Sequence, residues 1–124
     1  MGYRSEVAIT LYTKDYKTMV KRANTLKDKS IYEFIKEADR FIADENNITT
    51  LYWDYIKWYN DDKIIKWIEK FIRNVDSTFI RIGEDNDDNE EKYYNKGYDL
   101  LEYAYYIRVI EIQGTKYKKE EDII

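Results

Sequence analysis

The stretch Trp53 to Ile72, WDYIKWYNDDKIIKWIEKFI, holds all three tryptophans of the chain, Trp53, Trp58 and Trp67. It begins with the alternation of a strand and ends with the period of a helix. From Ile64 onward, Ile64, Trp67, Ile68, Phe71, Ile72 and Val75 recur at the three-and-four spacing of one helix face. Asn60 stands where an N-cap belongs, because its side-chain oxygen can accept an unpaired amide of the first turn. Asp61 and Asp62 then complement the helix dipole. A helix over about Asp61 to Asn74 follows, and three indoles in one segment place it at the centre of the core.

The rest of the chain is read around that segment. Tyr3 to Tyr12 alternates as a strand, with Ser5, Val7, Ile9 and Leu11 on one side and Glu6, Ala8, Thr10 and Tyr12 on the other. Thr13 is placed to cap a helix whose buried stripe is Tyr16, Met19, Val20, Ala23 and Leu26. Ser30 and Glu33 have capping-box spacing before a short second helix carrying Ile31, Phe34, Ile35 and Ala38. Arg40 to Ala43 reads as a short strand, Asp44 to Asn47 as its turn, and Ile48 to Lys57 as the return strand. That strand is aromatic on both sides, which makes it central. Phe79 to Ile82 is the next strand, ended by Gly83. Glu84 to Glu91 is nearly all acidic and reads as a solvated loop. Leu100 to Gln113 reads as a long strand, with a helix over Leu100 to Tyr106 as the competing reading, and the tail from Lys116 as frayed.

This order predicts one α+β domain spanning residues 1–124. It would be a mostly antiparallel sheet of about five strands with two to three helices packed on one face, a ferredoxin-like or split β-α-β variant.

Composition restricts the chemistry. The 124 residues contain no Cys and no His, which removes disulfides, thiolate nucleophiles and the commonest general base and metal ligand. A net charge of −4 suits ordinary solubility and gives no electrostatic case for nucleic acid. No apolar run is long enough to cross a bilayer and no signal-peptide pattern opens the chain, so a soluble, cytoplasmic protein is expected. Ser and Thr have no His partner and no Gly-rich phosphate loop is present, so no enzyme is expected.

Three surface constellations remain. Asp85, Asp87 and Asn89 alternate like the first half of an EF-hand loop, but Glu90 stands where the turn needs Gly and Lys96 where the bidentate Glu should be, so no metal is expected. The same carboxylates on a loop could imitate phosphates for a basic groove on another protein. The basic face Lys14, Lys17, Lys21, Arg22, Lys27 and Lys29 could meet phosphates, although Asp15 and Asp28 dilute it. Tyr52, Tyr55, Tyr103, Tyr105 and Tyr106 could form a stacking platform or, more simply, pack the core.

The opening Met1 to Ala8, the central Ile56-Lys57-Trp58-Tyr59 followed by Asp61-Asp62, and Phe79 to Asp85 resemble a family of small phage and prophage proteins. In that family GYRS(E/D)V, KWY and IGED segments occur in this order. The resemblance implies a mobile-element accessory protein and carries no catalytic residues. Arg4 and Glu6 are charged residues in a partly buried strand, so each needs a partner, Glu84 or Asp85 for Arg4. The expected function is non-enzymatic: binding and inhibiting a host or defence protein such as a CRISPR effector. The surface expected to do so comprises Glu84, Asp85, Asp87, Asp88, Glu90, Glu91, Tyr93 and Tyr94, with no cofactor and no membrane. A nucleic-acid-binding module ranks second, and self-association through a strand edge third.

Overall fold

Five consecutive residues of the first strand, Val7 to Leu11, are at most 1% exposed. A strand buried on both faces must be central and covered above and below, and the rest of the fold follows from that. The computed structural model describes residues 2–85, 87–106 and 110–117. In it β1 (Ser5–Tyr12) lies between β3 (Ile48–Ile56) and β4 (Ser77–Gly83), antiparallel to both. Beyond β4 lies β5 (Asn89–Tyr94), and beyond β3 lie β2 (Asp39–Ala43) and β8 (Thr115–Tyr117). The six-stranded order is β5-β4-β1-β3-β2-β8.

The helices are α1 (Thr13–Asn24) and α2 (Ser30–Glu37), between β1 and β2, and α3 (Lys63–Ile72), between β3 and β4. Each crossover skips one strand position, so the inner order β4-β1-β3-β2 is the ferredoxin-like split β-α-β arrangement expected from the sequence. The fold is α+β. Val7, Ile9 and Leu11 of β1 meet Leu51, Trp53 and Phe79 of the neighbouring strands. Onto them pack Tyr16, Met19 and Ala23 of α1, Ile31 and Ile35 of α2, and Ile65, Ile68 and Ile72 of α3.

The opposite face carries Ala8, Thr10, Thr50 and Thr78 beside Ile80 and Tyr52. Ala8 and Ile80 pack under Ala104, Ile110 and Ile112 of a second, two-stranded pair, β6 (Ala104–Tyr106) and β7 (Ile110–Ile112). A 3-10 helix, Gly97–Tyr103, leads into that pair. It crosses so close to β4 that a Cβ on Gly97 would sit 1.9 Å from the carbonyl oxygen of Ser77, a contact that only glycine permits.

Several elements differ from the sequence expectation. The sheet has six strands because it gains β5 and β8 and does not contain the expected strand over Leu100 to Gln113. The acidic stretch does not stay a loop. Asn89 to Tyr94 pairs along β4, and backbone pairing satisfies an edge strand whatever its outward side chains. Leu100 to Gln113 is not one strand but the 3-10 helix followed by β6 and β7. Residues 107–109 of that expected strand lie outside the described residues. The tail begins as β8 and not as a frayed end, while residues 118–124 lie outside the described residues. The main helix starts at Lys63, with Asp62 and not Asn60 as its cap: Asp62 Oδ1 accepts the Ile64 amide at 2.7 Å. Thr13 lies inside α1, and its hydroxyl shares a hydrogen bond with Thr49 at 2.8 Å. Ser30 likewise lies inside α2, where Asp28 Oδ1 accepts its amide at 2.9 Å in place of a capping box.

The cap assignment is testable. Asp62→Ala should lower stability by about 1 kcal/mol in urea unfolding, whereas Asn60→Ala should leave it unchanged within about 0.5 kcal/mol. The reverse ranking would return the cap to Asn60.

Candidate protein-interaction site

The hairpin β4–β5 is built around one arginine. Arg81 sits on the helix-side face of β4 directly opposite Glu90, and its side chain is 11% exposed. Its Nε donates to Glu90 Oε2 at 2.6 Å and its Nη2 to Asp88 Oδ1 at 2.6 Å. Nη1 reaches Asp88 Oδ2 at 3.2 Å and the Ser5 hydroxyl at 3.0 Å. The planar fork thus holds one carboxylate bidentately and a second at its edge, which fixes both geometrically.

The turn is closed by the backbone and by the N-terminal segment. The Gly83 amide donates to the Asp88 carbonyl at 2.8 Å, and the Asp88 amide to the Asp85 carbonyl at 3.1 Å. Tyr3 gives its hydroxyl proton to Asp88 Oδ2 at 2.6 Å and accepts the Asp85 amide at 3.0 Å. The Arg4 amide donates to Glu84 Oε2 at 2.6 Å. The two segments Gly2 to Val7 and Ile82 to Asp85, some eighty residues apart in the chain, therefore meet at one point.

Charge follows from these contacts. The Arg81 guanidinium, helped by the Tyr3 hydroxyl, holds the Asp88 carboxyl below its ordinary value. Burial pushes Glu90 upward, but Arg81 and Lys92 outweigh it and the net direction is also down. Burial likewise opposes the charge on Arg81, and Asp88 and Glu90 overcome it.

Strand alternation sorts the acidic run into two sets. Asp88 and Glu90 turn inward to Arg81, and Glu84 is engaged by the Arg4 backbone. Asp85, Asp87 and Glu91 are exposed. Tyr93 is 45% exposed and donates to Glu91 Oε2 at 3.1 Å, whereas Tyr94 is half-buried against the core. The outward set among the residues singled out in the sequence is thus Asp85, Asp87, Glu91 and Tyr93, and the inward set is Asp88, Glu90 and Tyr94.

Beside the hairpin, the register of β1 against β3 shifts between Ser5 and Val7. In the opposing strand Tyr55 takes φ 57°, a backbone region disfavoured for an aromatic residue, and stands 63% exposed. The Arg4 guanidinium lies 5.5 Å from its ring centroid. The expected Arg4 ion pair is thus replaced by a backbone bond to Glu84 and a ring contact. Glu6 finds its partner in the Tyr52 hydroxyl.

The other constellations are placed as follows. Lys14, Lys17, Lys21 and Arg22 are exposed on α1. Arg22 and Lys70, with Asp15, Trp67 and Phe71, line a groove of about 400 Å³ between α1 and α3, and the Arg22 guanidinium lies 5.5 Å from the Phe71 ring centroid. Tyr52 belongs to the sheet face covered by β6 and β7. Among the described residues no group of three or more potential ligands is arranged to hold a metal ion, and no helix is long and apolar enough to cross a membrane.

Arg81, Tyr3 and Ser5 are strand residues in the sequence reading and not among the residues expected to form the site. The available signal was a charged residue inside Phe79-Ile80-Arg81-Ile82, followed across a turn by the alternation Asp88, Glu90, Lys92. Recognising that hairpin would have set Arg81 against Glu90.

Carboxylates held below their unfolded values stabilise the fold at pH above those values and cease to as pH falls through the folded ones. The urea midpoint should therefore drop between about pH 5 and pH 2 in the parent chain. Arg81→Met should lose about 2 kcal/mol at pH 7 and show a flattened or reversed acid slope, because its two carboxylates then gain from protonation. An unchanged slope would remove Arg81 as their anchor.

No family model matches the chain, and neither a curated protein nor a solved structure matches it.

Proposed function

We propose that this is a phage or prophage accessory protein that binds and inhibits a host or defence protein without chemistry of its own. The observation that carries this reading is the β4–β5 hairpin. Arg81 takes Asp88 and Glu90 inward and thereby stiffens a projection from which Asp85, Asp87, Glu91 and Tyr93 face outward. Exposed carboxylates carried on a hydrogen-bonded backbone beside an exposed tyrosine suit a basic surface on a partner. Little ordering entropy remains to be lost on binding, and the tyrosine supplies contact area with few rotatable bonds. A nucleic-acid-binding effector has such a basic surface. Two of the three segments that resemble phage and prophage proteins, Gly2 to Val7 and Ile82 to Asp85, meet at this hairpin's base.

The second reading is nucleic-acid binding by the helical layer, favoured by the exposed Lys14, Lys17, Lys21 and Arg22 on α1 and by Lys70, which lines the α1–α3 groove with Arg22. It predicts gel shifts that weaken steeply with salt and fade in Lys17→Ala/Lys21→Ala/Arg22→Ala.

The first reading predicts that the purified protein suppresses a purified CRISPR effector's DNA cleavage at near one-to-one stoichiometry. Asp85→Lys/Glu91→Lys should weaken inhibition by about 100-fold or more while leaving the melting temperature unchanged. Absence of any stoichiometric host or defence partner, with no defence system inhibited, would overturn it.

A further inference from the structure

A second arginine is buried more deeply, and among the described residues it lacks the carboxylates that Arg81 has. Arg40 lies on β2 on the same face of the sheet, opposite Leu51 of β3 and Tyr117 of β8. It is 2% exposed. Its Nη1 has a long contact of 3.4 Å to the Tyr16 hydroxyl, and its Nη2 is buried with no hydrogen-bond partner. Among the described residues no carboxylate forms an ion pair with it. Arg81, by contrast, is more exposed and has two carboxylates and a hydroxyl.

A buried guanidinium without a counter-charge is among the costliest groups a core can hold, and a bridging water supplies hydrogen bonds but no charge. The neighbouring positions Ile42 and Leu51 are aliphatic, so a methionine or leucine would fill the site at lower cost. A buried charged group left open in this way calls for a partner, and an anion supplies both the hydrogen bond and the charge.

We infer that Arg40 is an oxyanion-binding group, its unfilled Nη2 taking an oxygen of a single carboxylate or phosphate group. The guanidinium fork matches either anion. Entry is on the β8 side. That strand has three residues and closes the sheet next to Arg40, with the Lys116–Asp39 ion pair of 3.3 Å, its members both largely solvated, helping to hold it. Short edge strands of this kind open at little cost.

The test compares melting temperatures in phosphate, acetate and chloride at equal ionic strength. Phosphate also stabilises proteins generally by exclusion from their surface, so the informative quantity is the difference between the parent chain and Arg40→Met. The parent should rise by roughly 3–5 °C more than Arg40→Met in tens of millimolar phosphate, or in acetate if a carboxylate is the better fit. Arg40→Lys, which keeps the charge but loses the fork, should retain part of the response. Titration of the Arg40 side-chain NMR signals in the parent chain should saturate with the same anion, which covers the case of a variant that does not fold. Equal responses in parent and Arg40→Met, or Arg40 signals unmoved by either anion, would overturn the inference. So would a fall in melting temperature on neutralising Glu120, Glu121 and Asp122 together with no anion response in the parent, which would assign the counter-charge to the chain itself.

Discussion

Four aromatic side chains from four parts of the chain converge above the central strand. Phe34 of α2 stacks on Trp53 of β3 at 5.3 Å between ring centroids. Trp58, just beyond β3, lies 5.3 Å from Trp53 and 5.7 Å from Phe79 of β4. Trp53 pairs in register with Val7, and Phe79 with Ile9, so the cluster bridges β1 from one neighbour to the other. Each such ring pair contributes about 0.5–1.5 kcal/mol beyond the area it buries. The polar edges are also satisfied, with Trp53 Nε1 donating to the Phe34 carbonyl at 3.2 Å and Trp58 Nε1 to Glu69 at 3.4 Å. An eight-residue helix such as α2 would not persist in isolation. It exists because Ile31, Phe34 and Ile35 dock on this cluster.

The two faces of the sheet are covered by different means. The helix side uses bulk, while the other side uses close approach. Thr10 and Thr50 share a hydroxyl–hydroxyl bond of 2.9 Å across β1 and β3, and with Ala8 and Thr78 they leave a low surface. On that low surface the 3-10 helix and the β6–β7 pair come close enough to need glycine at position 97. A face of large residues could not have accepted a second layer at that distance.

Charge is arranged with the same economy. Arg81 draws two carboxylates out of the acidic run and leaves the others facing solvent, which converts a flexible charged segment into a shaped one. Arg40, equally charged and more deeply buried, meets only a tyrosine hydroxyl among the described residues. Identical side chains on one sheet face thus differ in the counter-charge that the described residues place beside them.

Much of the framework could be read from residue patterns. The alternation of Val7, Ile9 and Leu11, the stripe Tyr16, Met19, Val20 and Ala23, and the period through Ile68 and Ile72 fixed β1, α1 and α3, because each pattern reports a local geometry. The strand and helix order then implied the split β-α-β connection. Pairing decided the rest. Asn89 to Tyr94 has no apolar alternation and becomes a strand because β4 offers an unpaired edge. Asp62 caps α3 where Asn60 was equally suitable chemically, since the cap depends on where the chain leaves the sheet. The contact of Tyr3 and Ser5 with Asp88 and Arg81 joins residues about eighty positions apart, and no local pattern records such a distance.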